Sequence, residues 1–255
     1  MGTTKVYDLP TRLFHWMFVG LFVTAFLIAK TVDDESAVFS YHMLMGIVLS
    51  FIVGLRILWG IVGSHYARFS SYALNPRELM DYFEQLLTGK TPAYAGHNPA
   101  SSWAAILMII FALGLGLTGC LMSTEGNKET YEDVHELLAN GFLVTALAHV
   151  AGVTLHTLRY RDWIGLSMIT GNKKLVGSQK SLPHSHSGVA LVFVALVVGW
   201  VANLYKNYDP QTQTLNLFGN PLIMGESKNE GDEKNEDSAY GLRGPKCGLL
   251  LESLI

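Results

Sequence analysis

Charge is what this 255-residue chain has little of. Asp, Glu, Lys and Arg make up 15% of it, against about 25% in an ordinary soluble domain. The deficit is local. Five apolar windows, Leu13–Ala29, Met43–Val62, Trp103–Met122, Leu137–Leu158 and Gly188–Tyr205, hold one formal charge between them, Arg56. A membrane-spanning helix needs roughly 17–25 apolar residues, and all five windows qualify. The composition therefore predicts a polytopic α-helical membrane protein and excludes a water-soluble fold. Cysteine is scarce as well. Cys120 and Cys247 are the only two, too few for a disulfide framework or a Cys-rich metal site, and no C-x-x-C-H occurs for covalent haem attachment. There is no basic stripe, and the net charge is −3, which argues against nucleic acid. No small-residue cleavage site follows the first window, so it is expected to remain as a helix rather than serve as a signal peptide.

Lysines and arginines in short loops orient such a protein. With the N-terminus in the cytoplasm, Lys5, Arg12, Arg68, Arg77, Lys90, Arg159, Arg161, Lys173, Lys174 and Lys180 fall on that side, and the two opposite loops carry only Lys30 and Lys128. An N-in chain in a bacterial inner membrane follows. The outer loops are acidic, with Asp33, Asp34 and Glu35 in one and Glu125, Glu129, Glu132 and Asp133 in the other; plain solvation and partner docking both account for that. Between the second and third spans, a helix over about 76–88 is expected, with Asn75 as N-cap, Pro76 at its first position and Gly89 as its stop. Leu79, Phe83, Leu86 and Leu87 share a face, which suits the membrane surface. The fourth helix is expected to start near Thr130 and run to Tyr160, about 45 Å at 1.5 Å per residue. Residues 1–187 then form the membrane domain and 188–206 a fifth helix. Residues 207–255 form a polar periplasmic tail, largely without order, that includes the acidic run Glu226–Asp237. The final stretch, Gly248–Ile255, turns apolar again.

Polar groups inside a bilayer are costly and mark pathways or cofactor sites, which turns attention to the histidines. Any one of them alone could be a hydrogen-bonded packing residue. His135 and His149 are 14 residues apart on the fourth helix, about 40° short of four full turns and about 21 Å along the axis. They share a face, one near each leaflet, as two stacked haems require. Depth selects partners from other helices: His15 with His149 inside, His42 with His135 outside. Neutral imidazole is a common metal ligand, and bis-histidine ligation fills both axial positions, which suits electron transfer. His156, seven residues past His149, is an alternative inner ligand or a neighbour of a quinone headgroup. Gly20, Gly46 and Gly152 follow ligand candidates closely and would let a flat porphyrin approach. Arg56, 14 residues after His42, lies on the same inward face and suits a propionate; Arg12 could do the same, or snorkel to the interface. His65, His97, His184 and His186 are expected to be ordinary polar residues.

The stretches Leu9-Pro-Thr-Arg-Leu-Phe-His-Trp16, His42-Met-Leu-Met-Gly46, Arg56-Ile-Leu-Trp-Gly60, Gly96-His-Asn-Pro99, His149-Val-Ala-Gly152 and Met168-Ile-Thr-Gly171 resemble the prokaryotic cytochrome b561 family, which includes nickel–iron hydrogenase cytochrome b subunits. The resemblance covers roughly residues 5–175. It implies a four-helix di-haem core with two haem b groups, ligands His15, His42, His135 and His149, and electron exchange with quinone. The fifth helix fits hydrogenase-type members, and the long acidic tail does not.

The expected function is electron relay between the quinone pool and a periplasmic redox protein, either a hydrogenase or a c-type cytochrome. In that role the chain is an electron-transfer subunit rather than a self-contained enzyme. One alternative is a stand-alone quinone-linked oxidoreductase of the same fold, for example one that oxidises superoxide. Another is a transporter with a histidine relay.

Overall fold

A computed structural model describes residues 3–89, 94, 96–123, 128–161, 163–174 and 181–225. Lys90, Glu125, Lys180, Cys247, the acidic run and the apolar end discussed above lie outside the described residues. Helices α1 (Leu9–Thr31), α2 (Ser40–Val62), α3 (Pro76–Thr88), α4 (Pro99–Met122), α5 (Lys128–Tyr160), α6 (Ser167–Thr170) and α7 (Ser187–Asn207) dominate the chain. Among the described residues, five helices are long and apolar enough to cross a membrane, namely α1, α2, α4, α5 and α7.

Helix boundaries follow from caps. Asp8, fully buried, caps α1 by accepting from the Thr11 N–H at 2.9 Å, and Pro10 sits in the first turn. Asn98 caps α4 by accepting from the Ser101 N–H at 2.7 Å. Such caps satisfy N–H groups that a helix start leaves without partners, and each contributes about 1 kcal/mol. Asn75 and Gly89 bound α3 as expected, Gly89 in the left-handed conformation. The faces of α3 differ from the expectation. Leu86 is buried with Tyr82 on the side that packs on α4, whereas Met80, Phe83 and Leu87 are exposed together.

The bundle core is α1, α2, α4 and α5, with α7 set against α1 and α2. Lipid offers no hydrophobic drive for helices to associate, so shape-matched packing must hold them. The tightest element of that packing is Phe142 of α5, 2% exposed, with its ring 4.1 Å from that of Phe22 and 5.6 Å from that of Phe18 on α1.

Short strands accompany the helices. β1 (Thr3–Lys5) pairs antiparallel with β2 (Asn172–Lys174), Thr4 opposite Lys173. β3 (Tyr208–Asp209), β4 (Thr214–Leu217) and β5 (Asn220–Ile223) make an antiparallel sheet directly after α7. Residues 208–225 of the tail are thus folded. The physical reason is an apolar face: Leu215, Leu217, Leu222 and Met224 bury against Leu204 and Val197 of α7 and Val48 of α2. Phe218 and Gly219, both with positive φ, close the β4–β5 hairpin, as a two-residue turn matched to strand twist requires. Tyr208 joins its hydroxyl to that of Ser40 at the start of α2, 2.7 Å away.

Candidate functional site

The four predicted ligand histidines stand in two groups at opposite ends of the bundle. His42 on α2 faces His135 on α5, their ring centres 6.2 Å apart and their planes at 74°. The Nδ1 atom of His42 lies 2.9 Å from the carbonyl oxygen of Ala25. A carbonyl only accepts, so that nitrogen carries the proton and Nε2 keeps its lone pair. The Nδ1 atom of His135 lies 2.8 Å from the Thr118 hydroxyl.

At the other end, His15 of α1 and His149 of α5 lie near each other and near His97. The His15 ring also meets Trp16 edge-on.

Arg56 is buried, 4% exposed, in the C-terminal half of α2. A guanidinium in a membrane interior costs about 2.5–3.5 kcal/mol on insertion scales, and three features offset that cost. Its Nη2 donates to the Ala67 carbonyl at 3.1 Å and to the Tyr72 hydroxyl at 2.6 Å. Its charge lies 5.0 Å above the Phe69 ring and 5.8 Å from that of Phe14, within cation–π range. Gly60 makes the Phe69 contact possible, because a Cβ there would overlap the ring. Its Nη1, however, is buried without a partner among the described residues, as is the Nε of Arg12. The Arg12 Nη2 donates to the Ile169 carbonyl. Two arginines near one end of the bundle therefore each keep an unmet donor.

The sequence motifs meet one another here. Trp16 Nε1 donates to the Met168 carbonyl at 3.0 Å, and the N–H groups of Val6 and Tyr7 share the Gly171 carbonyl. Gly171 has φ 81°, and a Cβ would press on the Tyr7 carbonyl. Trp59 Nε1 donates to Asp8 at 3.1 Å, tying α2 to the start of α1. Asn98 donates to the Tyr82 hydroxyl at 2.9 Å, and Lys173 donates to the Gly96 carbonyl at 2.9 Å.

His97 is the residue that sequence reasoning placed wrongly among ordinary polar groups. Its ring packs 4.6 Å from Tyr72 and 5.6 Å from Tyr7, and its Nδ1 is buried without a partner among the described residues. Burial holds it far below the usual histidine range, to a pKa of about 3, helped by the positive charges of Arg56 and Lys173. Burial also raises Tyr7 and Tyr72, although Arg56 pulls Tyr72 back. The cluster at neutral pH is thus neutral His97 and two intact phenols around cationic Arg56. A lone histidine in a loop has no periodicity to betray it; only its place in Gly96-His-Asn-Pro99 gave a signal. His65 packs on Tyr66, and His186 precedes α7 and meets Trp59 edge-on.

The description "prokaryotic cytochrome b561" matches residues 6–171. The chain belongs to this family. Its relatives include three proteins named "Probable Ni/Fe-hydrogenase B-type cytochrome subunit", the Escherichia coli K12 one carrying the number 1 after "hydrogenase". The Cupriavidus necator protein is 29% identical over 48% of this chain and 59% of its own length. The Rhodobacter capsulatus protein is 24% identical over 66% of this chain and 80% of its own. The Escherichia coli protein is 25% identical over 48% and 61%. No solved structure matches.

A b-type cytochrome implies haem b, whose iron takes axial ligands from the protein. The residues of this cytochrome b561 fit that group. A metal–imidazole nitrogen bond is about 2 Å long, so two opposed imidazoles on one metal have ring centres about 6 Å apart. His42 and His135 stand at 6.2 Å without any adjustment. Engaging Nδ1 of a ligand histidine with an acceptor, as Ala25 does for His42, is the usual companion of ligation through Nε2. Gly20, Gly46 and Gly152 have open space where a Cβ would stand, and the unmet donors of Arg56 and Arg12 suit carboxylate arms.

Proposed function

We propose that this cytochrome b561 is the membrane electron-transfer subunit of a quinone-linked oxidoreductase in a bacterial inner membrane. It holds one haem b between His15 and His149 and a second between His42 and His135, and carries electrons between quinone and a periplasmic redox protein. The names of its relatives favour a hydrogenase over a c-type cytochrome as that protein. The observation that carries the reading is the spacing of the His42 and His135 rings, set for one metal between them.

Bound haem supplies one-electron chemistry without leaving its site. The chain's residues hold and insulate it. His15, His42, His135 and His149 would hold the two groups. Arg56, with Arg12, would bind their carboxylate arms at the cytoplasmic end. Phe142, seven residues from both His135 and His149, fills the space between the two sites with Phe18 and Phe22 and excludes water. The quinone headgroup belongs at the cytoplasmic end, around Arg12, Arg56, His156 and Arg159. Arg159 also donates to the Leu87 carbonyl and so fastens α3 to α5.

Anaerobic addition of a soluble quinol to the oxidised, purified protein tests this. The expected result is the absorption of reduced haem b on mixing. A protein without haem, or with haem that dithionite reduces and quinol leaves oxidised, would refute it.

A further inference from the structure

Thr118 lies on α4, buried, with its hydroxyl among three partners. The oxygen is 2.9 Å from the Gly114 carbonyl, 3.3 Å from the Leu115 carbonyl and 2.8 Å from Nδ1 of His135. A hydroxyl has one proton, and carbonyls can only accept. The proton therefore goes to the carbonyls of its own helix, and a lone pair faces the imidazole. Nδ1 of His135 is then the N–H donor, which leaves the lone pair of that ring on Nε2. The next residue of α4, Gly119, faces the same ring, and a Cβ there would make an ordinary contact at 3.8 Å from Cε1.

We propose that Thr118 is a positioning residue for His135, selecting its tautomer and fixing its ring so that Nε2 is offered to the iron. The inference rests on the His42–His135 haem site proposed above. His42 obtains the same service from the backbone carbonyl of Ala25. The Leu115 carbonyl also bonds to the His135 ring, and Thr118 is the side chain that joins it in holding that ring. A hydrogen bond accepted from Nδ1–H makes the ligand more basic, which favours ferric over ferrous iron.

The test compares Thr118→Val, which keeps the shape and loses the hydroxyl, with Thr118→Ser, which keeps the hydroxyl, in the purified full-length protein. Haem content and the midpoint potential of each haem are read by spectroelectrochemical titration. Thr118→Val is expected to weaken haem retention at one site by about 10–100-fold and to raise the potential of that haem. The other haem should keep its potential and occupancy, and Thr118→Ser should restore both values. Unchanged potentials and content in Thr118→Val would overturn the proposal, as would equal loss of both haems, or Thr118→Ser behaving like Thr118→Val. His135→Ala in parallel separates the two levels. If it retains both haems, the site itself is wrong. If it loses one while Thr118→Val is unaffected, only the role of Thr118 falls.

Discussion

Replacing Arg56 by methionine separates a structural guanidinium from one that binds a cofactor. In the protein without haem, the substitution removes two hydrogen bonds from a charged donor, to Ala67 and Tyr72, each contributing about 1.5–3 kcal/mol. It also relieves about 2.5–3.5 kcal/mol of cost for a charge in the membrane interior. The two nearly offset, leaving a net loss of about 0–3 kcal/mol. With haem bound, the unmet Nη1 donor gains a carboxylate, and breaking a buried ion pair costs about 3–5 kcal/mol more. At 1.4 kcal/mol per tenfold, haem affinity at this site should fall by roughly a hundred- to a few-thousand-fold. The loss of a positive charge should also lower the potential of whatever haem remains there. Titration of apo-protein with haem, alongside thermal melting of the apo form in detergent, reads both effects. Wild-type haem affinity together with a strongly destabilised apo-protein would refute the reasoning, because Arg56 would then be structural only.

Two further outcomes follow from the same end of the bundle. His97 is held neutral with a pKa of about 3 against 6.5 when unfolded, so between those values the unfolded chain binds the extra proton. The stability it contributes is full above pH 6.5 and is lost as pH falls towards 3; His97→Gln should flatten that part of the melting-temperature profile, and an unchanged slope would contradict the assignment. Gly171→Ala forces a side chain into φ 81° against the Tyr7 carbonyl; a loss of about 1–2 kcal/mol for the left-handed backbone alone, seen as a lower melting temperature, is expected.

The five spans were legible because each is a long run almost free of charge, and α3 because Asn75, Pro76 and Gly89 punctuate it. The resemblance motifs were also legible, and the structure gives them physical roles: Asp8 and Trp59, Gly60 and Phe69, Trp16 and Met168 each join one motif to another element. The β1–β2 pair was not legible, since Thr3–Lys5 and Asn172–Lys174 are three-residue strands without an alternating pattern, brought together only by the folded bundle. The β4–β5 hairpin did carry a signal, the alternation of Leu215 and Leu217 around Asn216, but its polar setting hid it. His97 was hidden for a different reason: burial by Tyr7 and Tyr72 comes from loops distant in sequence. Periodicity within one helix cannot report such contacts.

The central claim, two haem groups on four named histidines, is tested most directly by counting haem b per chain with a pyridine haemochromogen assay. The count is made on the wild type and on the His15, His42, His135, His149 and His156→Ala variants. The account predicts two haems in the wild type, one lost in each of the first four variants, and none lost at His156. A wild type without haem, or a His149→Ala protein that keeps both haems while His156→Ala loses one, would contradict it.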